Sequence, residues 1–212
     1  MLSLTQTLRS RVPFVAFGVA LALPLPVSPR SPDSAKATVV LAGGCFWGVE
    51  AVYRHVKGVK SAVSGFAVPE AAEGAEPSMM STKPAYAEAV RIEYDPAVVN
   101  YDQLMAVFFT VAHDPTQVGR QGPDIGPEYR SVIFVTSDDE RSHAEQSLAR
   151  FKSDGRFTKP ITTEIAKLKT FKVAGAEHQD YVARNPRSPY VVEVDLPKLA
   201  HLQHAFPELY KK

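Results

Sequence analysis

The chain has a single cysteine, Cys45, among its 212 residues. One cysteine excludes an internal disulfide and the dithiol of a thioredoxin-type centre. No C-x-x-C or H-x-x-x-H spacing occurs, so the sequence predicts no metal site. A cysteine phosphatase would need an arginine six positions after the nucleophile, and that position holds Ala51. These absences leave the chemistry of an isolated thiol.

Charge of one sign is also missing. The net charge is +1, from 24 Lys and Arg against 23 Asp and Glu, and no long run of either sign occurs. Phosphate binding needs a concentrated basic patch, so we expect no nucleic-acid partner. This charge balance favours a neutral or peptide substrate, and the hydrophobic content of 45% is typical of one globular domain.

No apolar run reaches the roughly 20 residues that span a bilayer. Arg9 and Arg11 precede an apolar stretch over 12–23, a proline-rich segment follows, and Ala35-Lys36-Ala37 fits the small-residue cleavage pattern of an export signal. We therefore predict a signal peptide and linker over 1–37 and a periplasmic or secreted product. The membrane is contacted only through the signal. A retained anchor is the alternative.

The remaining residues, 38–212, carry alternating helical and strand patterns. Short alternating runs predict strands, three- and four-residue apolar spacing predicts helices, and the last helix is interrupted by Pro207. The order of elements predicts one α/β (α+β) domain. We expect a ferredoxin-like two-layer sandwich, with a central mixed sheet flanked by helices and a helical C-terminal tail.

Cys45 follows two glycines and stands where a helix begins, in "GGCFWGVEAVYRHV". The first turn of a helix presents unpaired N–H groups and the positive end of its dipole, which predicts a lowered Cys45 pKa and an activated thiolate. An inert buried cysteine is the simpler alternative. A Cys-His hydrolase is a further one, with His113 or His178 as base and Asp114 or Asp180 to orient it.

The segment "GGCFWGVE" resembles the signature of the A-type peptide-methionine sulfoxide reductases, which act on the S epimer of the sulfoxide. The resemblance extends over 38–189, through "YAEAVRIEYDP", "AHDP" with "RQGPDIGPEYRSVIF", and "TTEIAKLKTFKVAGAEHQDYVARNP". It implies reduction of methionine S-sulfoxide, free or in oxidised proteins, to methionine, with Cys45 ending as a sulfenic acid.

The resemblance also implies roles for individual residues. Cys45 is the attacking thiolate, and Glu88 is the acid that assists at the sulfoxide oxygen. A carboxylic acid in an apolar pocket has the raised pKa that this task needs. The substrate is held by two aromatic residues that receive its methyl group and by two polar ones: Phe46, Trp47, Asp124 and Tyr129.

Two departures from the family pattern stand out. Tyr86 occupies the place of a family histidine. The family usually has a tyrosine donor about a dozen residues before the glutamate, and counting back from Glu88 without a gap reaches Glu76. We expect either Tyr86 or Tyr129 to supply that donor; a non-catalytic binder of oxidised methionine is the alternative should the donors fail.

No second cysteine can resolve the sulfenic acid. We expect no bound cofactor and recycling by an external thiol, whether thioredoxin-like, glutaredoxin-like or small. We also expect a monomer.

Overall fold

The computed structural model describes residues 36–70 and 86–212. The predicted export signal lies outside the described residues except for its last two, and Glu76 lies outside them too. Within the described ranges, no helix is both long and apolar enough to cross a bilayer.

Seven strands and five α-helices form the described domain. The strands are β1 (Ala37–Ala42), β2 (Val59–Pro69), β3 (Ala87–Tyr94), β4 (Arg120–Gln121), β5 (Asp124–Ile125), β6 (Val132–Val135) and β7 (Glu164–Val173). The helices are α1 (Phe46–Arg54), α2 (Tyr101–Val107), α3 (Asp138–Ser153), α4 (Tyr181–Arg184) and α5 (Leu196–Ala205). Two π-helical segments, Phe108–Ala112 and Val191–Asp195, follow α2 and precede α5.

Five strands form a closed barrel in the order β1-β3-β2-β7-β6, with β6 returning to β1. Only the β6–β7 pair is parallel, so the sheet is mixed, as predicted. The ferredoxin-like open sandwich is not what is found, because β1 pairs antiparallel with both β3 and β6 and leaves no free edge.

Barrel closure follows from the small side chains on one face of the strands. Val40, Ala42, Ala67, Ala87 and Ala89 belong to one buried cluster that contains no helical residue. The opposite strand faces pack with the helices in a second and larger cluster. Alternating side chains therefore fill two cores, and alanines suit the narrow interior of a five-stranded barrel.

The helix α1 packs against β2 and β3, and its N-terminal end lies at the site described below. Its residues are buried except Trp47, which is half-buried, and Arg54. Gly44 precedes it with a φ of +88°, a conformation that disfavours other residues. A Cβ at Gly44 would also overlap with Gln121 Cγ, so this glycine lets the loop around β4 and β5 approach the helix start.

Candidate active site

Cys45 occupies the N-cap position of α1, so the helix begins one residue later than predicted. Its side chain is only 8% exposed and belongs to the main core cluster. The Trp47 N–H and the Tyr190 hydroxyl both lie close to its sulfur. The thiol therefore sits at the leading end of a helix, but inside the protein.

The predicted lowering of the Cys45 pKa is wrong. Burial, reinforced by the negative charges of Glu88 and Asp195, raises the pKa of the thiol to about 12. The Trp47 N–H and the Tyr190 hydroxyl near the sulfur lower this pKa without reversing the shift. The helix terminus alone does not decide the outcome, because desolvation disfavours the anion more strongly. The resting group is a thiol.

Glu88 extends from β3 to the first turn of α1. The backbone N–H of Phe46 donates to its Oε2 atom over 3.1 Å. Burial raises the pKa of Glu88 to about 7, and the charges of Asp124 and Glu128 act in the same direction. The Glu88 carboxyl binds the N–H of Phe46, the residue that follows Cys45, so a buried acid and a buried thiol lie at the start of the same helix. The resemblance implied that these two residues act together.

Aromatic rings line one side of the thiol. Phe46 is buried, with its ring 5.6 Å from Phe66 and 5.4 Å from His178. Trp47 stacks on Tyr181 at 3.6 Å with the planes nearly parallel, and meets Tyr190 edge-on at 5.9 Å. An apolar, electron-rich pocket of this kind suits a methyl group on sulfur.

A polar side faces these rings. The Tyr190 hydroxyl donates to Asp124 Oδ2 over 2.5 Å, joining the segment after α4 to strand β5. Tyr129 is close enough to Glu88, Asp124 and Cys45 for their charges to raise its pKa, together with burial. Asp124 and Tyr129 are therefore brought to the thiol, as expected.

Tyr86 stands further from the site than the other predicted residues. Its ring packs edge-on against Phe66 at 5.3 Å, and Phe66 in turn packs on Phe46. Its carbonyl accepts from Arg130 Nη1. The Phe66 ring thus lies between Tyr86 and Phe46. Of the two tyrosines expected to supply the donor, Tyr129 is the one near Glu88 and Asp124.

The hydrolase alternative lacks its base. His113 is buried, and its Nδ1–H donates to the Phe108 carbonyl while Nε2 contacts the Ser131 hydroxyl at 2.7 Å. Burial lowers its pKa to about 4. His178 Nδ1 accepts from Trp47 Nε1. In the described part of the chain neither histidine hydrogen-bonds to Cys45, so neither is placed as the base that a hydrolase would need.

Two site residues were missed from the sequence, Tyr190 and Asp195. Tyr190 directly follows Pro189, where the resemblance ends. Asp195 is an acid within the otherwise largely apolar run "VVEVDL", and that mismatch was a usable signal. No group of His, Cys, Asp and Glu side chains suited to a metal occurs in the residues described.

Comparison with known proteins decides the family. The sequence model of the peptide methionine sulfoxide reductases matches residues 37–209. The chain belongs to the peptide methionine sulfoxide reductase family, A type. It is 43% identical over 175 residues to peptide methionine sulfoxide reductase MsrA 2 of Mesorhizobium japonicum, covering 82% of this chain and 90% of the relative. It is 40% identical over 186 residues to MsrA 2 of Synechocystis, covering 88% and 86%.

Solved reductases share the fold. Reduced Mxr1 of Saccharomyces cerevisiae superposes with a TM-score of 0.61 at 30% identity, covering 72% of this chain and 87% of that one. Methionine sulfoxide reductase A of Corynebacterium diphtheriae gives 0.60 at 30% identity, covering 72% and 76%. The chain is therefore an oxidoreductase of this type, as the signature predicted.

Proposed function

We propose that this reductase converts methionine S-sulfoxide, free or in proteins, to methionine at Cys45, with Glu88 as the acid. The observation that carries the proposal is the hydrogen bond from the Phe46 N–H to Glu88, which places a carboxyl with a pKa of about 7 beside the thiol. At neutral pH about half of such carboxyls hold a proton. The site therefore offers both a nucleophile and a proton donor.

The first half-reaction transfers one oxygen. The substrate methyl group lies against Phe46 and Trp47, and its oxygen faces Glu88 and Tyr129. Glu88 protonates the oxygen, which makes the sulfur electrophilic, and Cys45 loses its proton and attacks that sulfur. A bond forms between Cys45 Sγ and the substrate sulfur, and the Cys45 proton passes to the carboxylate that Glu88 has become. The protonated oxygen then moves to Sγ as the sulfur–sulfur bond and the substrate sulfur–oxygen bond break, so that methionine leaves and Cys45 is a sulfenic acid. Overall, a thiol and a sulfoxide give a sulfenic acid and a sulfide.

Tyr190 and Asp124 favour the anion that must form. Because the Tyr190 hydroxyl lies close to Cys45, it can turn its proton from Asp124 to the sulfur and stabilise the thiolate once the Cys45 proton has left. Asp124 orients that hydroxyl. We therefore add Tyr190 to the residues that act directly on the reacting sulfur.

Recycling needs an external thiol, because Cys45 is the only cysteine in the chain. One thiol attacks the sulfenic sulfur, water leaves and a mixed disulfide forms; a second thiol then releases Cys45. A thioredoxin-like or glutaredoxin-like protein or a small thiol supplies both equivalents. No cofactor is bound in this scheme.

Export is part of the proposal. Residues 1–37 direct the chain to the periplasm or the medium, and residues 38–212 act there as a monomeric repair enzyme for oxidised proteins. Mass measurement of the mature protein tests the cleavage point, and its elution volume tests the monomer. Recovery of the uncleaved chain in membranes would favour the retained anchor.

The test is a single-turnover assay on resolved sulfoxide epimers. Without reductant we expect one methionine per protein from the S epimer and none from the R epimer. Cys45→Ser should yield none, whereas added thiol should give continuing turnover. Ester or amide hydrolysis, or binding without any methionine formed, would contradict the proposal.

A further inference from the structure

The turn that follows β7 carries two rings that hold the Trp47 indole. The Tyr181 ring stacks on the indole with the ring centroids 3.6 Å apart, and His178 Nδ1 accepts from Trp47 Nε1 over 3.2 Å. The His178 ring also lies 5.4 Å from the Phe46 ring. The two aromatic residues of α1 that face the substrate methyl group are therefore supported from behind by this turn.

Gln179 fastens the turn to the edge of the barrel. Its Oε1 accepts from the Ser64 N–H over 3.1 Å, and its Nε2 donates to the carbonyls of Ser64 and Ala174, each over 2.9 Å. The pairing of β2 with β7 ends one residue before these contacts, at Gly65 and Val173. The carboxamide of Gln179 thus continues the hydrogen bonding of β2 where the strand β7 has ended.

The backbone after Gln179 needs such contacts to keep its shape. Asp180 has a φ of +53° and a ψ of +34°, in the left-handed region that residues other than glycine adopt infrequently. The Asp180 N–H donates to Glu50 Oε1 on α1 over 2.9 Å. A sparsely populated conformation persists only where the surroundings over-determine it. The contacts of Gln179 with β2 and of Asp180 with α1 meet that need from two sides.

We propose that Gln179 is a positioning residue for substrate binding: by pairing with the backbone of Ser64, it holds the turn that places His178 and Tyr181 on the Trp47 indole. The inference rests on the proposed function, because that function assigns the substrate methyl group to Phe46 and Trp47. An indole that is already fixed loses no freedom when the substrate binds, so the substrate binds more tightly. Gln179 acts on the substrate through Trp47.

The first test is the dependence of the single-turnover rate on the concentration of methionine S-sulfoxide. In Gln179→Ala the half-saturating concentration should rise about tenfold, the effect of one large side chain that has to be ordered on binding. The maximal rate should stay within about twofold of wild type, because the methyl contact is present in both the ground state and the transition state. Gln203→Ala, which shortens an exposed glutamine of α5, is the matched control and should change neither value.

A purely structural role of Gln179 gives a different result. If its loss only destabilised the fold, fewer molecules would be active, so the amount of methionine released would fall at an unchanged half-saturating concentration. That result would overturn the proposal. Gln179→Glu is the second variant, since it keeps the length of the side chain and an acceptor for the Ser64 N–H but lacks the amide donor for the two carbonyls. It should show the same rise, and a wild-type value would also overturn the proposal.

The motion of the indole is a readout that needs no sulfoxide. Trp47 is the only tryptophan in the chain, so protein labelled with nitrogen-15 gives one indole N–H signal. Its order parameter should be about 0.85 in the wild type and below about 0.6 in Gln179→Ala. An indole that is equally ordered in the two proteins would overturn the proposal. Because this measurement involves no substrate, its outcome is separate from that of the assay on the two sulfoxide epimers, and either proposal can fail alone.

Discussion

Replacing Glu88 by glutamine removes the acidic proton but keeps the size and shape of the side chain. The glutamine side chain would keep an oxygen that can accept from the Phe46 N–H, as the carboxylate of Glu88 does over 3.1 Å. It cannot donate an acidic proton to the sulfoxide oxygen. General acid catalysis contributes roughly 10²- to 10⁴-fold, so we expect the single-turnover rate at pH 7 to fall by about that factor.

The pH profile of the same reaction identifies the group. In the wild type, the slope of log rate against pH should decrease by one as the pH passes about 7, where Glu88 loses its proton. In Glu88→Gln this break should be absent. Glu93→Gln, on the same strand, is the matched control and should keep both the rate and the break.

Glu88→Gln should lower the activity but raise the folding stability at alkaline pH. Burial raises the pKa of Glu88 from 4.5 to about 7, so the protonated form is favoured by folding. This contribution is fully present below pH 4.5 and is lost as the pH rises through 7. The shift corresponds to about 3 kcal/mol. Urea unfolding should therefore show Glu88→Gln more stable than wild type at pH 8 by up to about 3 kcal/mol, and equally stable at pH 4.

The reasoning about Glu88 is refuted if Glu88→Gln retains wild-type single-turnover rates with the break near pH 7 intact. Lower activity combined with lower stability at pH 8 would also contradict it. In that case the carboxyl would be a structural partner of α1 and not the acid of the reaction.

Two further predictions concern other contacts of α1. Tyr190→Phe removes the hydroxyl near the Cys45 sulfur that lowers the Cys45 pKa, so the single-turnover rate should fall about tenfold. Tyr210→Phe should not change the rate, and an unaltered rate in Tyr190→Phe would exclude Tyr190 from the chemistry. Glu50 accepts from Ser64 Oγ over 2.6 Å and from the Asp180 N–H over 2.9 Å. In urea unfolding, Glu50→Ala should therefore lower the free energy of unfolding by about 3 kcal/mol, and Glu50→Gln by about 1 kcal/mol or less. Equal losses in the two variants would show that these donors need no partner.

Local patterns in the sequence predicted most of the elements. The alternation in "YAEAVRIEYDP" corresponds to β3, and the helical spacing after Asn100 corresponds to α2. Asn100 accepts from the Gln103 N–H, and the Gln103 side chain accepts in return from the Asn100 N–H, so this helix start is encoded within four residues. Such features depend on neighbours in the chain and can be inferred without the fold.

Barrel closure could not be inferred in the same way. It depends on the pairing of Val40 with Phe134, residues far apart in the chain. The alternating side chains of β1 indicate that the strand has two different faces. They do not indicate whether water or a second hydrophobic core covers the face that lies inside the barrel. The alanines of β3 were the available signal, since small residues on an alternating face fit a narrow interior.

The sequence indicated part of the set of residues around Cys45 but not the electrostatics of the site. Cys45 and Glu88 were identified from the family signature, and the structure brings them together. The direction of the Cys45 pKa shift was wrong, because the shift depends on burial and on the charges of Glu88 and Asp195, which are distant from Cys45 in the sequence. Desolvation is a property of the whole fold, and a helix start inferred from local sequence does not contain it.

The central claim is that oxygen passes from the substrate sulfur to Cys45. The most direct test is one turnover on methionine S-sulfoxide labelled with a heavy oxygen isotope, followed by trapping of the sulfenic acid with an electrophilic aryl chloride, which forms a sulfoxide and keeps the oxygen, and by peptide mass measurement. We predict one label per protein, located on Cys45, with one methionine released. Methionine formed while Cys45 carries no label would contradict this account.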